Sequence, residues 1–472
     1  MMNNVRRTKI IGTVGPATES FEALEQLVLK GLDVVRINMS HATDQEARNT
    51  VERVRKLSLK HDRHIALLMD LQGPAIRTGD LSTALNLNPG ERIALTVRGE
   101  QSEEEHSVDV NYDDLIEDIH VGNVVMVDNG NIQLKVLEKQ QNHLTCEVLT
   151  EGILGSRRHI NLPGIRVKLP ALTEKDIRNV ALGIELGVDF IAMSFVREAK
   201  DVVMLQELLS QHKAPQKIIA KLEDQEGVRN TEAIAEVADG IMVARGDLGI
   251  ECPYEELPII QRRIVKICLT KGIPVIVATH MLESMIGNAL PTRAEITDVS
   301  NAVFEQADAI MLSGETSVGQ YPSQCVEVMN RIALRVERSG GADYAKLAKL
   351  DSLEAKLVKG ASVLAHEVEA DALIVFTRTG RMARYAAWMR TLHTKVYAFT
   401  NNRDVVNRLA LYWGIRPFLI DFAEENPLEN VEKAITLLKD KELIEQGNYI
   451  IAITQVEHKG KLIDSIQVEK VD

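Results

Sequence analysis

The segment MVARGDLG at residues 242–249 places two glycines around an aspartate directly after an apolar run. Glycine permits a tight turn in which successive backbone N–H groups point at an anion, and Asp247 offers oxygen ligands. The same pattern also occurs at ordinary strand-to-helix turns. Glu223, which follows an earlier apolar run, adds a second carboxylate. Together the two carboxylates predict a hard, oxygen-rich site for magnesium or manganese.

Lys221 lies two residues before Glu223. On a β-strand this spacing directs both side chains to the same face. An ammonium beside a metal-binding carboxylate suits phosphoryl transfer, in which charge spreads over the oxygens of the transferred group and has to be stabilised. A Lys–Glu pair also occurs as a plain surface ion pair. A position at the open end of a parallel β-barrel, the fold predicted below, favours the catalytic interpretation.

Polar side chains gather where six apolar runs end. A single charge there is common, because strand ends contact water. Six such ends together predict a catalytic site at the carboxyl ends of parallel strands. The groups are Arg36, Asn38, Ser40 and His41; Asp70 with Arg77; Lys221 and Glu223; Arg245 and Asp247; Thr279 and His280; Ser313 and Glu315.

Eight short apolar runs, rich in β-branched residues, alternate with stretches of helical periodicity. This alternation predicts βα units around a parallel sheet, and eight units close a TIM barrel. Helix signals support it, such as Ser20 at the start of one stretch and Gly31 at its end. The runs are 9–14, 33–38, 65–71, 189–195, 217–222, 240–245, 274–279 and 309–313.

Two regions fall outside this repeat. At 73–168 the pattern alternates with period two around turn signals such as NPGE and DNGN, which predicts an inserted antiparallel β-barrel lid over the catalytic face. After residue 341 a new helix and strand series predicts an open α/β domain at 342–472. The predicted fold is therefore α/β, with a (β/α)8 barrel at 1–72 and 169–341.

Composition narrows the functional classes. The chain has 472 residues, 45% hydrophobic and 26% charged, as in soluble multidomain proteins. A net charge of -13 argues against a nucleic-acid partner. No run approaches the roughly 18 apolar residues of a membrane helix, no signal peptide is visible, and the four cysteines show no metal-site spacing. We therefore expect a cytoplasmic protein without a membrane partner.

Several segments resemble the signature blocks of the pyruvate kinase family, in the family's order and spacing. They are NMSH, MDLQGP, AKLEDQEGV, DGIMVARGDLGIE, ATHMLESMI, PTRAEITDV and AIMLSGETSVGQYP. The resemblance implies transfer of the phosphoryl group of phosphoenolpyruvate to ADP, giving pyruvate and ATP in the last step of glycolysis. It also implies a divalent magnesium ion, a potassium ion and a homotetramer.

The resemblance further implies roles for individual residues. Lys221, Arg36 and Arg77 match the cations that contact the transferred phosphoryl group, and Thr279 matches the residue near the carbon that is protonated. Glu223 and Asp247 match the magnesium ligands. The remaining implied sets are Arg36, Lys221, Ala244, Arg245, Gly246, Asp247 and Thr279 for the substrate; Asn38, His41, Arg77 and Arg158 for the nucleotide; Asn38, Ser40, Asp70 and Leu71 for potassium; and Ser313 and Glu315 for a proton-feeding network.

Three places depart from the family pattern. Leu71 and Gln72 follow the potassium-independent members, but Ala75 lacks the lysine that replaces the ion there, so we expect potassium to be used. Arg158 and His159 stand where the family has lysine and glycine. FTRTGR resembles the phosphate-binding effector loop or an ordinary turn, and TQVEHKGKLIDS replaces its usual partner loop. The effector candidates are Thr377, Arg378, Thr379, Gly380 and Arg381.

Two other functions fit part of this pattern. A metal-dependent lyase or aldolase acting on pyruvate or phosphoenolpyruvate lacks the inserted domain and the ADP-side set Arg36, Asn38, His41 and Arg77. A catalytically silent regulatory paralogue has no reason to keep Lys221, Glu223, Asp247 and Thr279 together. The kinase interpretation therefore accounts for more of the residues.

Overall fold

The computed structural model describes residues 6–97, 106–423, 426–458 and 461–472. Its largest sheet is a closed parallel barrel in which each strand pairs with the next and the eighth pairs with the first, as predicted. In chain order the eight barrel strands are Lys9–Thr13, Val34–Asn38, Ala66–Asp70, Phe190–Met193, Lys217–Leu222, Gly240–Ala244, Val275–Ala278 and Ala309–Leu312.

The helices around the barrel carry the expected end signals. Ser20 Oγ accepts the Ala23 N–H at the start of the first helix, and Gly31 ends it at φ 116°. Thr43 and Glu46 form a capping box on the second helix. The helices of this domain are Phe21–Lys30, Asp44–Lys60, Glu174–Leu186, Ala199–Gln211, Gln225–Arg229, Thr231–Val237, Arg245–Glu251, Leu257–Lys271, Arg293–Phe304, Gly314–Ser317 and Pro322–Glu337, with a 3-10 turn at Glu283–Ile286.

The barrel strands are buried on both faces. Residues such as Ile11, Phe190 and Met242 fill the barrel interior, while their neighbours along each strand pack under the helices. Ala410 and Leu411 of the C-terminal domain belong to the same interior cluster. One end of the barrel is therefore closed by the C-terminal domain, which leaves the other end for chemistry.

The inserted domain is a six-stranded sheet and a two-stranded sheet. Its strands are Leu85–Leu87, Arg92–Val97, Ser107–Val110, Val124–Val127, Ile132–Lys139, His143–Val148, Gly152–Leu154 and Ile160–Asn161, with one short helix at Leu115–Asp118. Bridges from Arg77 to His159 and from Thr78 to Val110 connect the two edges of the larger sheet.

One strand pair of this domain departs from the predicted antiparallel arrangement. Arg92–Val97 and Ser107–Val110 are parallel, whereas the other pairs are antiparallel. Parallel neighbours cannot be joined by a tight hairpin, so hairpin signals do not predict them. The signal DNGN does mark a true hairpin, with Asp128, Asn129 and Gly130 at positive φ.

The C-terminal domain is a five-stranded sheet with helices, and four of its strands are parallel. The fifth, Lys461–Lys470, pairs antiparallel with Tyr449–His458 and was not predicted from the sequence. The other strands are Ala372–Phe376, Lys395–Thr400 and Ile415–Leu419; the helices are Leu353–Glu367, Arg381–Trp388, Arg403–Arg408 and Pro427–Asp440, with 3-10 turns at Tyr344–Leu347 and Leu409–Leu411. Among the described residues, no helix is long and apolar enough to cross a membrane.

Candidate active site

A buried ionic cluster lies at the carboxyl ends of the third and fifth barrel strands. Lys221 Nζ is 3.0 Å from Asp70 Oδ1 and 3.0 Å from Glu223 Oε1. It also donates to Ser194 Oγ at 2.5 Å. Burial opposes the charge on Lys221, but Asp70 and Glu223 outweigh burial and raise the pKa of its ammonium. Lys221 and Glu223 therefore meet on one face, as their spacing predicted.

Asp70 holds two cations at once. Its second carboxylate oxygen accepts from Arg36 Nε at 2.7 Å, and Arg36 Nη1 donates to Thr13 Oγ1 at 2.9 Å. Burial alone would raise the pKa of Asp70, but Lys221 and Arg36 hold it below its usual range. An ionised Asp70 thus fixes the positions of both cations.

The negative charges of Glu223 and Asp247 are balanced less completely by nearby cations than that of Asp70. Burial first, and then the charges of Asp247 and Asp70, raise the pKa of Glu223 to about 7 although Lys221 opposes the rise. Burial also raises the pKa of Asp247. Within the described part of the chain no group of three or more His, Cys, Asp or Glu side chains is arranged to hold a metal. Two carboxylates are what a magnesium ion commonly takes from a protein, so this pair fits it.

The turn that follows the sixth strand contacts the end of the seventh. Gly246 N–H donates to Thr279 Oγ1 at 2.7 Å. Thr279 has φ 68°, a conformation that a β-branched residue seldom adopts, and Phe195, whose N–H donates to Glu223 Oε2 at 2.7 Å, has φ 52°. Such strain often concentrates at functional sites.

The Arg245 side chain is hydrogen-bonded to other residues of the barrel. Its guanidinium donates to Asp298 Oδ1 at 2.6 Å and to the Thr279 carbonyl at 2.7 Å. The side chain is buried. A substrate-binding role at this position therefore falls to the backbone of 244–247.

The predicted potassium ligands lie together near the second and third strand ends. Asn38 Oδ1 accepts from Ser40 N–H at 3.2 Å, and the Asp70 carbonyl accepts from Met39 N–H at 2.9 Å. The Leu71 carbonyl accepts from Ser194 Oγ at 2.8 Å. Asp70 and Leu71 thus already have protein donors that a monovalent cation would share or displace.

Ser313 and Glu315 contact each other, with Glu315 buried and Ser313 half-buried. Glu315 accepts from Ser313 N–H at 2.7 Å and from Leu282 N–H at 3.0 Å. The Ser313 hydroxyl is buried and has no hydrogen-bond partner among the described residues. The structure therefore brings these two residues together and ties them to the loop after the seventh strand.

The lid reaches the carboxylates through a histidine. His159 Nδ1 lies 4.0 Å from Asp247 Oδ1, and burial with the charge of Arg77 lowers the pKa of His159 to about 4. Arg158 instead lies 3.2 Å from Asp128 within the lid. Arg77 is half-buried and contacts the Arg157 carbonyl, while His41 is exposed.

Three contacts at the candidate site were not predicted from the sequence. Ser194 and Thr13 lie at the ends of two further apolar runs, and their polar side chains at strand ends are the signal that marks them. The third is a latch between domains. The Asn161 side chain and the Leu162 N–H, both in the lid, interact with the Glu251 carboxylate of the barrel and oppose the rise of its pKa. No local sequence signal exists for this contact.

The predicted effector segment is a turn before a helix. Thr377 Oγ1 accepts from Gly380 N–H at 2.9 Å, and Gly380 adopts φ 92°. A cavity of about 420 Å3 lies beside it, lined in part by Thr377, Arg378, Thr379 and Arg381 and by Asp464 of the last strand. The structure places four of the five predicted residues around one cavity.

Comparison with known proteins agrees with the fold and identifies a family. Family models described as the barrel domain and the alpha/beta domain of pyruvate kinase match residues 5–326 and 355–468. Pyruvate kinase isozyme G, chloroplastic, of Nicotiana tabacum is 40% identical over 96% of this chain and 81% of that relative. Pyruvate kinase of Geobacillus stearothermophilus is 40% identical over 87% of this chain and 71% of that relative.

A solved structure gives the same answer. The crystal structure of a pyruvate kinase from Cryptosporidium parvum superposes with a TM-score of 0.93 at 32% identity, over 100% of this chain and 98% of that one. Both family models together span the barrel and the C-terminal domain. The chain belongs to the pyruvate kinase family.

Proposed function

We propose that this chain transfers the phosphoryl group of phosphoenolpyruvate to ADP, giving pyruvate and ATP. The observation that carries the proposal is the buried ammonium of Lys221, held between Asp70 and Glu223 at 3.0 Å from each. Its raised pKa keeps it charged, so it acts as a cation and not as a base. A fixed cation is what a transferring phosphoryl group requires.

Glu223 and Asp247 are the residues we propose for the divalent ion, magnesium or manganese. Burial raises the pKa of both carboxylates, so a nearby positive charge would stabilise their ionised forms. When bound, the ion supplies positive charge to the oxygens of the phosphate and the carboxylate of the substrate.

Other side chains are proposed to neutralise the phosphoryl group, to lie near the protonated carbon and to exclude water. Arg36 and Lys221 neutralise the phosphoryl group while its bond to the enol oxygen breaks and a bond to the terminal oxygen of ADP forms, and Arg77 is proposed to help from the lid. The released enolpyruvate takes a proton at its methylene carbon, on the side where we place Thr279. The lid, joined to the barrel through Glu251, excludes water that would otherwise accept the phosphoryl group.

We also propose that Asn38, Ser40, Asp70 and Leu71 bind potassium. The clustering of their oxygens supports this, although Asp70 and Leu71 have protein donors as well. Activity should fall when sodium or tetramethylammonium replaces potassium at constant ionic strength. Equal activity in all three salts would remove potassium from the proposal.

The homotetramer and the cytoplasmic location stay predictions. Sedimentation velocity at micromolar concentration tests the first: a species of four chains is expected, and a monomer would contradict it. Fractionation of the source cells tests the second, with the chain expected in the soluble cytoplasmic fraction.

The activity is tested by coupling pyruvate formation to lactate dehydrogenase. NADH oxidation should require phosphoenolpyruvate, ADP and a divalent ion together, and ATP should appear in equal amount. Pyruvate release without ADP would favour a lyase or phosphatase. No pyruvate under any metal condition would favour the silent regulatory paralogue.

A further inference from the structure

A second cavity lies where the C-terminal domain joins the barrel, and its lining shares no residue with the candidate active site or with the cavity beside the predicted effector segment. Its volume is about 430 Å3. Small-molecule sites typically measure about 300–1,000 Å3. Three parts of the chain line it: the linker at 343–350, one face of helix Leu353–Glu367, and the loop at 389–394.

One wall of this junction cavity is aromatic. His366 on the helix and His393 on the loop stack, with ring centroids 5.7 Å apart and planes at 25°. Val363, one turn before His366, is 54% exposed and lines the same wall. A stacked pair of rings beside an exposed valine offers a flat apolar ligand both dispersion and ring contacts.

The same cavity holds ammonium groups. Lys359 and Lys346 both line it and are both exposed. Lys346 pairs with Asp343 at 2.7 Å. Of the ion pairs between described residues, none involves Lys359. Lys359 lies seven residues before His366, so the ammonium and the ring share one face of the helix.

The walls are held in place without a ligand. Arg390 Nη2 on the loop donates to Asp308 at 2.7 Å in a buried ion pair with the barrel. The Leu392 carbonyl accepts from the Arg7 guanidinium. Asp343 N–H on the linker donates to Gln306 Oε1 at 3.0 Å. Because both segments are anchored to the barrel, the cavity is formed before anything binds, which lowers the cost of binding.

We propose that this junction cavity binds a small aromatic anion. The ring of the ligand lies against His366 and His393, and its anionic group pairs with Lys359. The proposal concerns a ligand site apart from phosphoryl transfer and does not depend on that activity.

The probe is 2-naphthoate, titrated calorimetrically into the full-length protein. Two analogues separate the proposed contacts: 2-naphthamide keeps the rings without the charge, and cyclohexanecarboxylate keeps the charge without the rings. We expect naphthoate to bind at least about tenfold more tightly than either analogue, a difference that corresponds to one broken contact of about 1.4 kcal/mol.

Variants assign the binding to this cavity. Lys359→Met and His366→Ala should each weaken naphthoate binding about tenfold, and His366→Phe should restore it because the ring is kept. Lys356→Met, an exposed lysine of the same helix that does not line the cavity, is the matched control and should leave binding unchanged. These side chains are exposed, so the fold should survive the changes.

Three results would overturn the proposal. One is the absence of naphthoate binding. Another is binding that Lys359→Met and His366→Ala leave unchanged, which would place the ligand elsewhere, including the active site. The third is equal affinity for naphthoate and cyclohexanecarboxylate, which would show that no ring contact is made.

Discussion

The barrel carries two buried charge clusters, one at each end. At the amino ends of the strands Asp33 lies 2.8 Å from both Arg6 and Arg63, and Lys9 is buried beside it. At the carboxyl ends Lys221 and Arg36 share Asp70, with Glu223 and Asp247 close by. Both clusters combine aspartate, arginine and lysine side chains at the ends of the barrel strands.

The clusters differ in how completely the chain neutralises its carboxylates. Burial alone would raise the pKa of Asp33, but Arg6, Lys9 and Arg63 outweigh it and hold the value at about 2. The pKa of Glu223 instead rises to about 7. An internally satisfied cluster contributes to stability, whereas an unsatisfied one is available to ligands. The contrast separates a structural end of the barrel from a functional one.

The largest effect should come from Lys221→Met. Turnover should fall by at least about 10³-fold with little change in KM for phosphoenolpyruvate, because the lost cation stabilises the phosphoryl group in flight. Steady-state kinetics with the coupled assay measures both constants. Lys217→Met, at the half-buried start of the same strand, is the control and should keep wild-type turnover. Wild-type turnover in Lys221→Met would remove that residue from the mechanism.

Asp33→Asn should lower stability and leave turnover unchanged, the reverse of what is expected for Lys221→Met. Removing the carboxylate leaves buried cations uncompensated, so the free energy of unfolding should fall by about 3–5 kcal/mol while turnover of the folded enzyme stays near wild type. Urea denaturation at one fixed protein concentration measures the change. Asp239→Asn, whose ion pair with Lys217 is only half-buried, should cost about 1 kcal/mol or less. A stable Asp33→Asn protein with impaired turnover would reverse the assignment of the two ends.

The stability of the protein in acid should depend on Asp33 as well. The folded pKa of Asp33, about 2, lies below the value of about 3.9 for an unfolded chain. Its contribution is therefore fully present above about pH 4 and is lost as the pH falls toward 2, by about 2 kcal/mol. Urea midpoints of the wild type should decline more steeply between pH 4 and 2 than those of Asp33→Asn. Parallel curves would show that Asp33 is not responsible.

How far the sequence predicts these features depends on how local each one is. The apolar runs predicted the barrel, and the two-residue spacing predicted that Lys221 and Glu223 share a face. The ion pairs of Asp70 were not predicted, because they join strands far apart in the chain. The strand Lys461–Lys470 was missed because its polar residues resemble a loop until a partner strand is known. The Glu251 latch likewise depends on contacts between domains.

The smallest effect should come from breaking the contact between Glu251 of the barrel and the lid. Substitutions at this contact test whether the functional end of the barrel extends into the lid. Burial, with Asp224 and Asp247 adding to it, raises the pKa of Glu251 to about 7, and the N–H donors of Asn161 and Leu162 oppose the rise. Glu251→Ala removes the carboxylate with which they interact and should lower kcat several-fold, up to about tenfold, by loosening lid closure.

Glu251→Gln keeps one oxygen acceptor, so its kcat should lie between those of the wild type and Glu251→Ala. Asn161→Ala removes the lid partner, and the double variant with Glu251→Ala should be no slower than the slower single variant, because both changes break one contact. Additive losses would mean that Glu251 acts independently of the lid. In that case the lid would be coupled to the barrel chiefly through the contact of His159 with Asp247, and His159→Ala would become the variant with the larger loss.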